Sequence, residues 1–127
     1  MLAAFPGYAR DDSDRARTGE GVYRRHCAQC HGPEADGRGI HAKRFNPPPS
    51  DLAHSPRTDD YRMQIITVGG EAMGRSSVMP EWGLELSGQD ILDVVVYLRR
   101  VSDQAAARAK ADKSGASTVA QRRRAHG

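Results

Sequence analysis

At 127 residues the chain has the length of one domain, and with 38% hydrophobic and only 6% aromatic residues its core is small. The formal charge of +3 is unevenly placed: Gly19 to Arg100 holds ten basic against eleven acidic residues, whereas Val101 to Gly127 holds six against two. The basic balance belongs to the tail, so nucleic acid is not an expected partner, and no stretch has the length and apolarity of a transmembrane segment.

Residues 1–12 read as a loose lead-in broken by Pro6-Gly7. Met1 to Phe5 is too short for the apolar part of an export signal and no basic residue precedes it, so no export signal is expected within this chain. Ser13 or Asp14 then caps a helix running towards Cys27. On it Gly19, Tyr23 and Cys27 are four residues apart and share one face, which places a close-approach point and an aromatic ring in line with a thiol.

The stretch Cys27-Ala28-Gln29-Cys30-His31 carries the chemistry. Two thiols separated by two residues, with a histidine directly after, form the attachment pattern for c-type haem: each sulfur adds across a vinyl group and the imidazole binds iron axially. A half zinc site would need another closely spaced ligand pair, and these are the only two cysteines. A thioredoxin-like redox pair would need a preceding strand, and a helix is expected there instead.

Gly32 to Ser50 contains three glycines and four prolines, including Pro47-Pro48-Pro49, and reads as a long loop wrapping the proximal side of the haem. A metal-bound histidine passes its second ring hydrogen to an acceptor that orients it; the carbonyl of Pro48 or of Pro49 is expected to take it. Thr58, followed by Asp59 and Asp60, opens a second helix that Gly69-Gly70 stops, with Tyr61, Ile65 and Val68 as an apolar core stripe. A loop from Gly70 to Gly83 leads to a last helix capped by Ser87, with Asp90 three residues on and Leu86 against Ile91. Its body ends at Arg99 and Arg100, and residues 103–127 read as a basic, disordered tail with no face to pack, helical at most over Ala105 to Ala111.

The second axial ligand is expected to be Met79. It stands in the loop, Pro80 stiffens the backbone beside it, and Trp82 is close enough in sequence to pack on the macrocycle. Met63 lies inside a helix and reads as core, while Met73 competes from a flexible setting among Gly69, Gly70 and Gly74. His26, His41 and His54 read as solvated surface histidines.

Gly19-x-x-x-Tyr23-x-x-x-Cys27-x-x-Cys30-His31-Gly32, then Met79-Pro80-x-Trp82-Gly83, then Leu86-Ser87 and a helix ending Val96-Tyr97-Leu98-Arg99, resembles the class I c-type cytochromes, over residues 13–102. The resemblance implies an all-α cytochrome c fold, three to five helices wrapped around one covalently attached haem c. It implies that the first and last helices cross at Gly19, Tyr23, Val94 and Tyr97, and that His31 and Met79 are the iron ligands. It also implies a periplasmic location and protein redox partners: a donor dehydrogenase or quinol-oxidising complex, and a terminal oxidase or reductase. With both axial positions filled, the expected function is single-electron transfer and not catalysis, by a soluble carrier or by a haem subunit of a larger oxidoreductase. A peroxidase or gas-binding haem would require an open iron.

Overall fold

The computed structural model describes residues 10–125, so residues 1–9 of the expected lead-in lie outside it. Four α-helices follow in order: α1 (Asp12–His26), α2 (Ala28–His31), α3 (Asp59–Ala72) and α4 (Gly88–Ala125), with 3-10 turns at Ala42–Arg44 and Trp82–Leu84. There is no strand among the described residues, and the all-α expectation holds.

Local chemistry sets the helix starts. The Asp11 carboxylate accepts the Asp14 N–H at 2.8 Å, so α1 begins at Asp12, slightly before the expected cap at Ser13 or Asp14. Thr58 Oγ1 accepts the Tyr61 N–H at 3.1 Å and Ser87 Oγ accepts that of Asp90 at 3.0 Å, as expected for both. Acidic residues in the first turn of α1 and of α3 suit the positive end of each helix.

The frame is the crossing of α1 and α4. Gly19 makes the contact possible: a Cβ there would lie 1.9 Å from the Asp93 carbonyl oxygen. Tyr23, Val22, Ile91, Val94, Val95 and Leu98 are buried around it, and the Tyr23 and Tyr97 rings lie 5.3 Å apart at a tilt of 50°. The crossing implied at Gly19, Tyr23, Val94 and Tyr97 is thus the observed one. Asp93 is also fully buried here, its carboxylate held by Arg10 at 2.7 Å and Arg15 at 3.3 Å, an arrangement that the periodicity of α4 did not reveal.

Three expectations about the elements change. The last helix does not end at Arg100 but continues unbroken to Ala125, where a disordered tail was expected. Its alanines, lysines, arginines and glutamines are good helix formers, and extending an existing helix carries no nucleation cost, so no packing face is required. In α3 the stripe of Tyr61, Ile65 and Val68 is core only at Ile65, which packs against the buried cluster. Ile66 and Arg62 are the buried side chains, Tyr61 and Ile65 face a cavity, and Val68 is exposed. The Gly69-Gly70 stop is a kink, since Gly69 leaves helical geometry at φ +81° before the last turn to Ala72. No described helix is long and apolar enough to cross a membrane.

Candidate cofactor site

Between the helices lies a cavity of about 1070 Å³. That is at or above the upper end of the ~300–1,000 Å³ usual for small-molecule sites, so it suits a large occupant. Cys27, Cys30, His31 and Met79 all line it, along with Ile65, Ile66, Val94, Leu98 and Trp82. Met73, the competing methionine, caps the end of α3 and is not among the lining residues, and Met63 packs against the core as expected.

The segment from Cys27 to His31 is one turn of chain. Cys27 both ends α1 and precedes α2, and its carbonyl accepts the N–H groups of Cys30 at 3.2 Å and His31 at 2.9 Å. Tyr23 reaches up from α1 to donate its hydroxyl to the Gly32 carbonyl at 2.5 Å, pinning the end of that turn. Gly39 closes the other side: a Cβ there would lie 2.1 Å from the Gln29 oxygen, and its N–H donates to Cys30 at 3.1 Å. Only close packing between residues distant along the loop gives Gly39 this role, which spacing alone does not signal.

His31 Nδ1 donates to the Ser50 carbonyl at 3.0 Å, so the expected acceptor, Pro48 or Pro49, is corrected to the next residue along. The loop closure explains it. The Ala35 carbonyl accepts the N–H groups of Leu52 at 2.7 Å and Ala53 at 2.9 Å, and Gly37 sits against the Pro49 carbonyl, where a Cβ would approach to 2.8 Å. With Pro49 turned to Gly37, Ser50 presents the free oxygen. Because a carbonyl only accepts, Nδ1 carries the proton and Nε2 keeps its lone pair, the tautomer an axial ligand needs. Burial also holds His31 below the ordinary imidazole range, although the Ser50 bond pulls the other way.

Across the cavity, Met79 is fastened through its own backbone: its carbonyl accepts the Gly70 N–H at 3.1 Å. Trp82 packs against His26, with ring centroids 5.1 Å apart, and both line the cavity. His41 and His54 line it too, so all three histidines border the cavity, His54 staying exposed as expected and the other two half-buried. His54 is tied to Asp51, its Nδ1 lying 2.9 Å from a carboxylate oxygen.

The donor set fits a haem and not the alternatives. Burial, reinforced by the neighbouring Cys30, pushes the Cys27 thiol up to about 12, whereas a redox-active pair works through a thiol held low. Among the described residues no cluster of three or more His, Cys, Asp or Glu side chains is placed to hold a bare metal ion. Two thiols and an imidazole on one wall of a largely apolar cavity, with a thioether on its lining, match a flat, apolar, iron-bearing group.

The comparison with family models agrees: residues 14–98 match the model described as cytochrome C oxidase, cbb3-type, subunit III. No curated protein matches the chain.

Proposed function

Because the chain belongs to the family of cytochrome c oxidase, cbb3-type, subunit III, a class I c-type cytochrome family, we propose that it transfers single electrons through one haem c bonded to Cys27 and Cys30. The haem supplies the one-electron ferric/ferrous couple. His31 and Met79 would hold its iron, with the Ser50 carbonyl orienting the first and the Gly70 N–H fixing the backbone of the second. A thioether ligand favours the ferrous state over what a second imidazole would give, so the potential is set high for a haem protein. With His31 and Met79 both holding the iron, no site would be left open for substrate, and the chain would act as an electron carrier between a donor and an acceptor protein, in the periplasm. The observation that carries this reading is the presence of all four residues on one cavity, with His31 already held in its ligating tautomer. A redox titration tests it: one electron per chain with a one-electron slope is expected, and an iron that turns over peroxide at a sustained rate would overturn it.

A second reading, that of a haem subunit held in an oxidase complex, is favoured by the continuation of α4 beyond the domain as an exposed basic helix and by the subunit named in the family's description. Gel filtration of a native extract separates the two. A carrier elutes alone and a subunit elutes with its enzyme.

A further inference from the structure

The part of α4 beyond the domain is a rod with a fixed root. Arg100 donates to Ser13 Oγ at 3.1 Å and Arg62 to Ser102 Oγ at 2.8 Å, while the Ser102 hydroxyl donates to the Leu52 carbonyl at 3.2 Å. These bonds tie the helix to α1, to α3 and to the loop before α3. Past them, residues 103–125 continue as helix for about 35 Å at about 1.5 Å per residue. Arg108, Lys110, Lys113, Arg122, Arg123 and Arg124 are all exposed there, and among the described residues none of them makes an ion pair. Asp103 and Asp112 are the acidic residues of the stretch.

The charges are not spread evenly around the rod. Each residue turns the helix by about 100°, so Lys110, Lys113 and Arg124 fall within about 60° of one another and form a stripe about 21 Å long. Asp112 and Val119 are turned to the other side, with Arg108, Arg122 and Arg123. Asp103 is the one acid on the side of the stripe, about 10 Å back at the root.

What can cover the stripe follows from what it lacks. A second copy packed along it would need apolar residues at heptad spacing, and the one large apolar side chain past Gln104 is Val119, on the far side. A protein partner draws most of its affinity from a well-packed, desolvated centre, which three cations among alanines do not supply. Burial of the helix among acyl chains fails for the same reason. A bilayer with anionic headgroups needs no apolar anchor: it is flat along the whole rod, and each Lys or Arg held near it contributes attraction.

We infer that the C-terminal part of α4 lies along an anionic phospholipid surface, with Lys110, Lys113 and Arg124 towards the headgroups. The inference uses no residue of the cavity and does not depend on the haem. It adds the place where the carrier is held, in the plane of any redox partner embedded in the same membrane.

The test is sedimentation of the holoprotein with vesicles at about 0.1 M salt, where the screening length of about 10 Å is close to the diameter of a helix. Vesicles of phosphatidylglycerol and phosphatidylcholine in equal parts carry the protein down, and pure phosphatidylcholine does not. Lys110→Gln, Lys113→Gln and Arg124→Gln together lower the partitioning at least about tenfold. Arg108→Gln, Arg122→Gln and Arg123→Gln together remove the same charge from the other side and lower it by no more than about threefold. Glutamine keeps the helix, and none of the six residues lines the cavity, so both variants keep the visible spectrum. Equal losses in the two variants would overturn the inference, since net charge alone would then explain binding. No uptake by the anionic vesicles would overturn it as well, and slowed electron transfer in the stripe variant would then place the helix on a protein instead. A chain that binds the vesicles but carries no haem fails the earlier reading and leaves this one standing.

Discussion

The backbone N–H of Gly70 donates to the carbonyl of Met79 at 3.1 Å, and a Cβ on Gly70 would lie 2.0 Å from the Ser76 oxygen. The pair of glycines expected to loosen Met73 is therefore the seat of Met79. Gly69 shares in it, since at φ +81° it brings the same Met79 oxygen to 3.0 Å from where its Cβ would stand.

Met79→Ala is expected to remove the weak far-red sulfur-to-iron absorption of the ferric protein, shift its equilibrium towards ferric by at least about tenfold, and admit carbon monoxide to the iron. Met73→Ala does none of these. Gly70→Ala displaces the loop by overpacking, costs about 1–3 kcal/mol, and weakens the same band without removing the sulfur. Absorption spectra of the three variants check the assignment, and a band lost only with Met73 would reverse it.

The α1–α4 crossing is expected to be intolerant in two separable ways. Gly19→Ala drives a methyl into the Asp93 carbonyl and lowers stability by about 1–3 kcal/mol or more, read as a fall in Tm. Removing both Arg10 and Arg15 leaves the Asp93 carboxylate buried without a cation and costs about 3–5 kcal/mol, whereas Asp93→Asn costs less because both arginines are partly exposed and return to water. Equal losses in the two cases would contradict the asymmetry.

How much of this was legible beforehand divides by sequence distance. The turn from Cys27 to His31, the caps at Thr58 and Ser87 and the placement of Met79 on the cavity depend on neighbours within a few residues, and all could be read. Ser50 in place of Pro48 or Pro49, Gly39 against Gln29, Asp93 between two arginines and Arg62 in the cavity wall depend on which distant segments meet. No periodicity announces a buried charge, because the residue type argues for exposure until its partners are known. The tail differs for the opposite reason: it has no packing face, but α4 supplies the nucleus from which its helix extends.

Alkaline stability follows from two phenols. Burial raises Tyr23 and Tyr97 above the ordinary tyrosine value, so the folded protein keeps both protonated at pH values where the unfolded chain ionises. Their contribution is complete below about pH 10, the unfolded value, and is lost as pH rises beyond it. Urea unfolding between pH 8 and 11, a window set by that value of about 10, is expected to show stability falling at the alkaline end. Tyr23→Phe flattens the fall while costing about 1–3 kcal/mol at neutral pH for the unmet Gly32 carbonyl. An unchanged slope in that variant would count against it.

Truncation after Asp103 removes the exposed part of α4 with its Arg108, Lys110, Lys113 and the Arg122-Arg123-Arg124 run. The visible spectrum is expected to stay the same, and the salt dependence of electron transfer to the physiological partner to flatten, because those charges act over a screening length of about 10 Å at 0.1 M salt. Unchanged salt dependence would show that the helix takes no part in docking.

Covalent attachment at Cys27 and Cys30 is tested most directly by mass. The protein, produced in cells competent for haem attachment, is denatured in acidified organic solvent and the chain is weighed. A polypeptide heavier than its sequence by one haem, with Cys27→Ala and Cys30→Ala together abolishing the increment, is the expected result. A chain at its bare polypeptide mass, with the haem washed into the solvent, would contradict it.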